Sequence, residues 1–309
     1  MTVTAVGRRV LEHVISSEQF GRELLDSLFA RAADLQDVRD ERLKGRIMAT
    51  LFYEPSTRTR LSFESAMLRL GGSVLGTEAA RTFSSAIKGE TLEDTIRMVS
   101  TYADVIVLRH DEMGAAARAA RVASVPVINA GDGPGEHPTQ ALLDLFTIER
   151  ELGRVDGVRV ALCGDLRFGR TARSLALLLS LYPDVRLVFV APDVVQVGGD
   201  ILARLDERGI RYTLASQLDD VVSQVDVVYQ TRVQKERFTD PHEFEQARSA
   251  IRIDATVMRR LDPRAIVMHP LPRVDELATE VDSDPRAAYF RQAANGVAIR
   301  MALLELLLA

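Results

Sequence analysis

Ser56, Thr57, Arg58 and Thr59 stand in a row inside FYEPSTRTRLSFESAMLRLGG, residues 52–72. Two hydroxyl types beside a guanidinium can surround an anion, and phosphate suits that donor set best. The flanking sequence places the cluster. An apolar segment, residues 47–52, runs into Pro55, and Phe63, Ala66, Met67 and Leu70 then recur at i, i+3, i+4 and i+7, which predicts a helix with one apolar face. The polar row thus falls where a buried strand hands over to a helix N-terminus. Backbone N–H groups there have no helical partner and the dipole end is positive. An ordinary helix cap uses one hydroxyl residue. Ser-Thr-Arg-Thr-Arg exceeds that need.

Other polar groups fall at comparable places. Arg109, His137, Arg170, Arg232 and His269-Pro270-Leu271-Pro272 each follow the carboxyl end of a predicted strand. In open α/β sheets ligands bind at that edge. The groups come from both halves of the chain, which points to a cleft between domains. Arg58, Arg109, Arg170 and Arg232, with Lys88 nearby in sequence, call for a polyanionic ligand set: a phosphate and one or two carboxylates. Taken singly, Arg109 reads as a surface charge, His137 as a packed histidine and HPLP as a rigid turn. Their coincidence on one predicted edge favours function. CGDLRFGRT is similar to a glycine-rich nucleotide turn but lacks the G-x-G-x-x-G spacing.

The elements that must position these groups follow a repeating rhythm. Residues 1–45 read as amphipathic helix, with Phe20, Leu24, Leu25, Leu28 and Phe29 on one side. Residues 76–89 lack sustained periodicity and read as a long loop, a frequent carrier of function. Thr91 followed by Asp94 signals a helix start, with the helix running to about Tyr102. Strands are predicted over 104–108, 125–132, 159–165, 185–192, 225–232 and 265–273, with helices after residue 137, over 171–181 and over 200–208. Near-continuous Val/Ile/Leu runs separated by helices indicate parallel sheets covered on both faces. A closing helix carries Phe290, Ala293, Ala294, Val297, Ala298, Met301, Leu304 and Leu308 as a broad apolar stripe. The charged stretch ERELGRVDG, residues 149–157, is the best candidate boundary. At 309 residues, two domains are expected.

Composition narrows the function classes. The net charge of −5 gives no general attraction to nucleic acid or an anionic membrane, so any anion site must be local. The lone Cys163 rules out an intrachain disulfide and fits a reducing compartment. No Cys/His cluster has zinc-ligand spacing. The first twenty residues lack a signal-like apolar core, and no apolar run reaches the ~18 residues of a membrane span. The expectation is a cytoplasmic enzyme without metal or cofactor.

Read together, STRTRLSFE, KGET after the loop, VLRH, HPTQALLDLFTI, GDLRFGRT, TRVQKER and HPLPRVDE occur in the order of the aspartate carbamoyltransferase catalytic chains. The resemblance covers essentially the whole length. STRTR and HPTQ mark the wider carbamoyltransferase superfamily, whereas TRVQKER with HPLPR marks the aspartate branch. Ornithine-specific relatives carry HCLP where this chain has HPLP. The departures are Ile87, where some relatives have a second lysine, and Phe168, where many have tyrosine.

The resemblance implies an α/β fold of two domains, each a parallel sheet flanked by helices, with the active site in the interdomain cleft. Residues 1–139 and 288–309 would form the carbamoyl-phosphate domain and 140–287 the aspartate domain. Ser56, Thr57, Arg58 and Thr59 would bind phosphate. Thr59, Arg109 and His137 would contact the carbamoyl oxygen, Gln140 the carbamoyl NH2, and Pro270 and Leu271 would offer backbone carbonyls. Arg170, Arg232 and Gln234 would hold the aspartate carboxylates, with Leu271 beside them. Ser84 and Lys88 would enter the site of a neighbouring subunit, so the active unit would be a homotrimer with shared sites. Arg58, Thr59, Lys88, Arg109 and His137 would carry the catalysis. Regulatory chains or a dihydroorotase are further partners the family allows. The rivals are a carbamoyltransferase with another amine acceptor, a non-catalytic phosphate-binding homologue and a nucleotide-binding protein. The cationic ornithine side chain, repelled by Arg232, argues against the first. The presence of Lys88, Arg109 and His137 argues against the second.

Overall fold

The computed structural model describes residues 11–78, 89–233, 238 and 240–309. In chain order it contains α1 (Arg22–Leu35), β1 (Ile47–Phe52), α2 (Thr57–Arg69), β2 (Ser73–Glu78), α3 (Leu92–Val99), β3 (Val105–His110), α4 (Ala115–Val122) and β4 (Val127–Asp132). Then follow α5 (Pro138–Leu152), β5 (Arg159–Cys163), α6 (Arg170–Leu179), β6 (Arg186–Val190), α7 (Gly199–Glu207) and β7 (Arg211–Ala215). The last elements are β8 (Val227–Gln230), α8 (Pro241–Ser249), α9 (Ala255–Arg260), β9 (Ile266–Met268) and α10 (Tyr289–Leu308). Short 3-10 turns lie between several of them. No described helix is long and apolar enough to cross a membrane.

The chain divides into two compact units. The first comprises Met1–Gln19, Ser27–Gly135 and Val297–Ala309, and the second Phe20–Asp26 and Glu136–Gly296. In the first unit a four-stranded parallel sheet runs β2-β1-β3-β4. β1 and β3 are central, so both of their faces are covered and their sequences, IMATLF and VIVLRH, are almost wholly apolar. One face packs Ala49, Leu51, Ile106 and Leu108 against Ile96 and Ala119 from α3 and α4. In the second unit a five-stranded parallel sheet runs β7-β6-β5-β8-β9. Ala161, Val228 and Val267 of its three adjoining strands share a core with Val257, Met258 and Tyr289. Both sheets alternate strands with helices, as the α/β reading expected.

Local signals explain several boundaries. The Thr91 side chain accepts the Asp94 N–H at 3.1 Å and starts α3, where such a cap contributes about 1 kcal/mol. Gly153, at φ +69, ends α5 in the left-handed conformation open to glycine.

Four expectations need correction. Residues 1–45 are not one helical region: within the described part, α1 covers only Arg22–Leu35, and Val14 bridges to Ile128. Residues 76–78 are strand, the end of β2; its pairing with β1 uses backbone groups, which SVLGTE does not advertise in its side chains. β7 was not anticipated because this edge strand, RYTLA, leaves all five of its residues partly or fully exposed. In α10 the apolar stripe holds from Ala298 onward, but Phe290 is 54% exposed, and the buried side chains near the start are Tyr289, Gln292 and Asn295. Tyr289 in the core, together with the buried polar side chains Gln292 and Asn295, holds that first part.

Candidate active site

The first unit gathers one set of the expected residues. β1 ends at Phe52, and Ser56, in extended backbone at φ −159, is the N-cap of α2. Its hydroxyl makes no capping hydrogen bond, so capping does not account for it. Phe63, Ala66 and Met67 anchor the helix by burial, which fixes where Thr57, Arg58 and Thr59 emerge. Thr59 is buried and Arg58 reaches solvent. Even so, burial by surrounding protein draws the Arg58 guanidinium below its ordinary pKa. Among the described residues no carboxylate lies within ion-pair distance of Arg58, whereas its neighbour Arg60 bonds Glu64 at 2.8 Å. A partly desolvated cation with no carboxylate partner among the described residues, at a positive helix end, is suited to hold an anion.

Arg109 lies beside this cluster because β3 pairs with β1 and sets Phe52 opposite Arg109. The Tyr53 N–H donates to the Arg109 carbonyl at 2.8 Å. The guanidinium donates to the Ala130 carbonyl at 3.1 Å and meets Glu54 at 3.3 Å. Arg109 and His110 are the last residues of β3 itself, not a loop after it. Strand register therefore holds Arg109 more firmly than a loop would. Ser84 and Lys88 lie outside the described residues, as does Ile87.

The second unit gathers the other set. His137 is the N-cap residue of α5, 4% exposed, with Pro138 opening the helix. One turn on, Gln140 donates from Nε2 to Asp144 Oδ1 at 2.8 Å. Arg170 is the first residue of α6, after Gly169. The turn from β5 to α6 demands its glycines. Gly164 sits at φ +101, and a Cβ there would come within 2.3 Å of the Thr231 carbonyl; at Gly169 one would come within 2.1 Å of the Asp165 carbonyl. Thr231 follows β8 and donates to the Cys163 carbonyl at 2.9 Å, which fixes the chain just before Arg232. Gln234 lies outside the described residues. β5, β8 and β9 are adjacent, so Arg170, Arg232 and the Pro270-Leu271 turn rise from neighbouring strand ends.

His269 holds that turn. Its Nδ1 accepts the Leu271 N–H at 2.8 Å, and its Nε2 pairs with Glu276 at 2.9 Å. The acceptor role of Nδ1 assigns the proton to Nε2. Burial alone would raise the Glu276 pKa, but the His269 hydrogen bond and further backbone donors hold it below the usual carboxylate range. Leu271 is held at φ +52, a left-handed conformation that a branched side chain rarely adopts. Phe168 packs edge-on against Phe238, with ring centroids 6.1 Å apart, so its ring has an aromatic partner. Burial pushes the Cys163 thiol above its ordinary pKa, which leaves it unreactive.

Asp144, Gln292 and Glu276 were not anticipated. Asp144 had a signal, since it interrupts the apolar run LLDLF and stands four residues after Gln140 on a predicted helix. Gln292 had none, because its partners are distant in sequence, whereas Glu276 stands only seven residues after His269, at the end of HPLPRVDE.

The comparisons with known proteins agree with this layout. Residues 12–150 match the family described as aspartate/ornithine carbamoyltransferase, carbamoyl-P binding domain. Residues 156–307 match its Asp/Orn binding domain. Aspartate carbamoyltransferase 1, chloroplastic, of Pisum sativum is 58% identical over 98% of this chain and 81% of its own. The aspartate carbamoyltransferase catalytic subunit of Methanocella arvoryzae is 49% identical over 96% and 97%. Aspartate transcarbamoylase of Trypanosoma cruzi, solved with carbamoyl phosphate and aspartate, superposes with a TM-score of 0.91 at 46% identity, covering 96% of this chain and 97% of that one. The two domain matches, which together span residues 12–150 and 156–307, show that the chain belongs to the aspartate/ornithine carbamoyltransferase family.

Proposed function

We propose that the chain transfers the carbamoyl group of carbamoyl phosphate to the amino group of L-aspartate, giving N-carbamoyl-L-aspartate and phosphate, the committed step towards pyrimidines. The aspartate amine attacks the carbamoyl carbon, a C–N bond forms, and the bond to the phosphate oxygen breaks. The leaving phosphate takes the amine proton, so no side-chain base is required. Ser56, Thr57, Arg58 and Thr59 bind the phosphate. Thr59, Arg109 and His137 are fixed donors for the oxygen that gains charge in the tetrahedral transition state. Gln140 receives the carbamoyl NH2, and the Pro270 and Leu271 carbonyls accept from the substrates. Arg170, Arg232 and Gln234 bind the aspartate carboxylates, the arginines as two-pronged donors. Catalysis is then mainly positioning and electrostatics.

The observation that carries this reading is Arg58 at the N-terminus of α2, partly desolvated and with no carboxylate partner among the described residues, beside a Ser56 hydroxyl that makes no capping hydrogen bond. The acceptor follows from HPLP in place of HCLP and from the arginines at 170 and 232. The active unit is a homotrimer in the cytoplasm, with Ser84 and Lys88 serving a neighbouring subunit's site. Formation of ureido product by the purified chain tests the reaction. Carbamoyl phosphate is supplied with L-aspartate in one tube and L-ornithine in another. Product with aspartate alone is expected. Product with ornithine would overturn the roles of Arg232 and Gln234, and product with neither would overturn the reaction.

A further inference from the structure

One buried carboxylate underlies several of these positions. Asp144, wholly inaccessible to solvent in α5, accepts from Gln140 Nε2 at 2.8 Å and from Gln292 Nε2 at 2.6 Å on Oδ1, and from the Tyr229 hydroxyl at 2.7 Å on Oδ2. The orientation of Gln292 is not free to vary. Its Oε1 accepts the His269 backbone N–H at 2.9 Å, a group that can only donate, so its NH2 must face Asp144. A carboxylate offers oxygens alone, so Gln140 must also present its NH2 to Asp144 and turn its carbonyl oxygen the other way. Burial and the Asp144 charge raise the Tyr229 pKa and keep its hydroxyl a donor; that oxygen also receives a hydrogen bond from Thr171, next to Arg170. The network therefore reaches residues adjoining three expected contact positions: Gln140 itself, Arg170 through Thr171, and Leu271 through His269.

We infer that Asp144 is a positioning residue that sets the donor specificity of the enzyme, by locking the Gln140 amide so that its carbonyl oxygen is the group offered to substrate. An offered oxygen accepts from an NH2 and gains nothing from a methyl group. The lock thus favours carbamoyl phosphate over acetyl phosphate, which has the same shape with CH3 in place of NH2. A site built to pair a donor discriminates strongly against an analogue that lacks it. The inference rests on the proposed role of Gln140 with the carbamoyl group.

The test compares the unmodified full-length chain with Asp144→Leu and Asp144→Asn, reading the KM for carbamoyl phosphate and the inhibition constant of acetyl phosphate. In Asp144→Leu the Gln140 amide is released. The KM for carbamoyl phosphate should rise about tenfold, the loss of one hydrogen bond, while the acetyl phosphate constant moves less than about twofold. Asp144→Asn can keep an oxygen towards the two amides, because Gln292 stays locked by His269, so its KM should remain within about threefold of the unmodified value. Equal weakening of both ligands by Asp144→Leu would mark a merely structural role and overturn the inference. So would an unchanged KM. If Asp144→Leu does not fold, the inference stands or falls on the unmodified chain labelled with 15N-glutamine. The Gln140 side-chain NH2, assigned by its loss in Gln140→Ala, should exchange with solvent far more slowly than an exposed glutamine amide, and free exchange would overturn it. Absence of any turnover in the unmodified chain would remove the proposed reaction and this inference with it. Normal turnover with an unlocked Gln140 would remove the inference alone.

Discussion

At the residue scale, the informative arginines differ in what neutralises them. Arg60 is satisfied by Glu64, and Arg109 is partly satisfied by the Ala130 carbonyl and Glu54. Arg58 has no carboxylate partner among the described residues. A side chain with no structural partner has little to lose structurally. Arg58→Ala should therefore leave thermal stability within about 0.5 kcal/mol, the range of surface changes, while turnover falls by about a hundredfold or more. Thermal melts and steady-state kinetics check the pair, and a loss of fold would refute the reading of Arg58 as an idle cation. Arg232→Ala separates the substrates. It should raise the aspartate requirement by ~100-fold, as loss of a charged hydrogen-bonding pair does, and leave the carbamoyl phosphate requirement nearly unchanged. Equal effects on both KM values would contradict the assignment.

At the element scale, the turn after β9 shows how a strained backbone is held. Leu271 sits at φ +52, and the His269 ring accepts its N–H while Glu276 anchors the ring. Glu276→Ala leaves the buried His269 Nε2–H without its acceptor, with an expected cost of about 1–3 kcal/mol in denaturant unfolding at neutral pH. The sign of the pH dependence follows from the lowered Glu276 pKa. The stabilisation is present above the unfolded value of 4.5 and is lost as pH falls through the lower folded value. The gap between unmodified and Glu276→Ala stabilities should therefore close in acid, and a gap that widens there would refute the pairing. The start of α10 teaches a related point. A helix assigned from an apolar stripe is held at its beginning by Gln292 on Asp144 and by Asn295 on Thr147, the latter at 3.0 Å.

At the scale of the whole molecule, each unit is built on a parallel sheet whose strand ends carry the residues proposed to bind substrate, and the proposed trimer makes the site a property of the assembly. That can be measured by mixing. Lys88→Ala and His137→Ala chains, each nearly inactive alone, should regain activity when dissociated and reassembled together. A shared site lets one intact site form from two damaged chains. A three-chain assembly with two mutant types and one intact site has about a third of the unmodified activity at most. No recovery on mixing would show that Lys88 serves its own chain, and the shared-site reading would fall.

Local pattern alone determined much of this protein. The apolar runs of β1, β3, β5 and β8 mark buried parallel strands, because a strand covered on both faces tolerates few polar side chains. The Ser56–Thr59 row, Arg109, His137 and Arg170 were legible because they sit at the junctions those patterns define. Their spacing also carried the family. β2 beyond Gly76 and β7 were not legible, since edge strands are stabilised by backbone pairing that leaves little trace in side-chain pattern. Nor was the partnership of Asp144 with Gln292 or of His269 with Glu276. Hydrogen bonds are directional and short, and whether a buried polar group is satisfied depends on where the folded chain brings its partner. In the pairing of residues 144 and 292, only the tertiary structure could decide that.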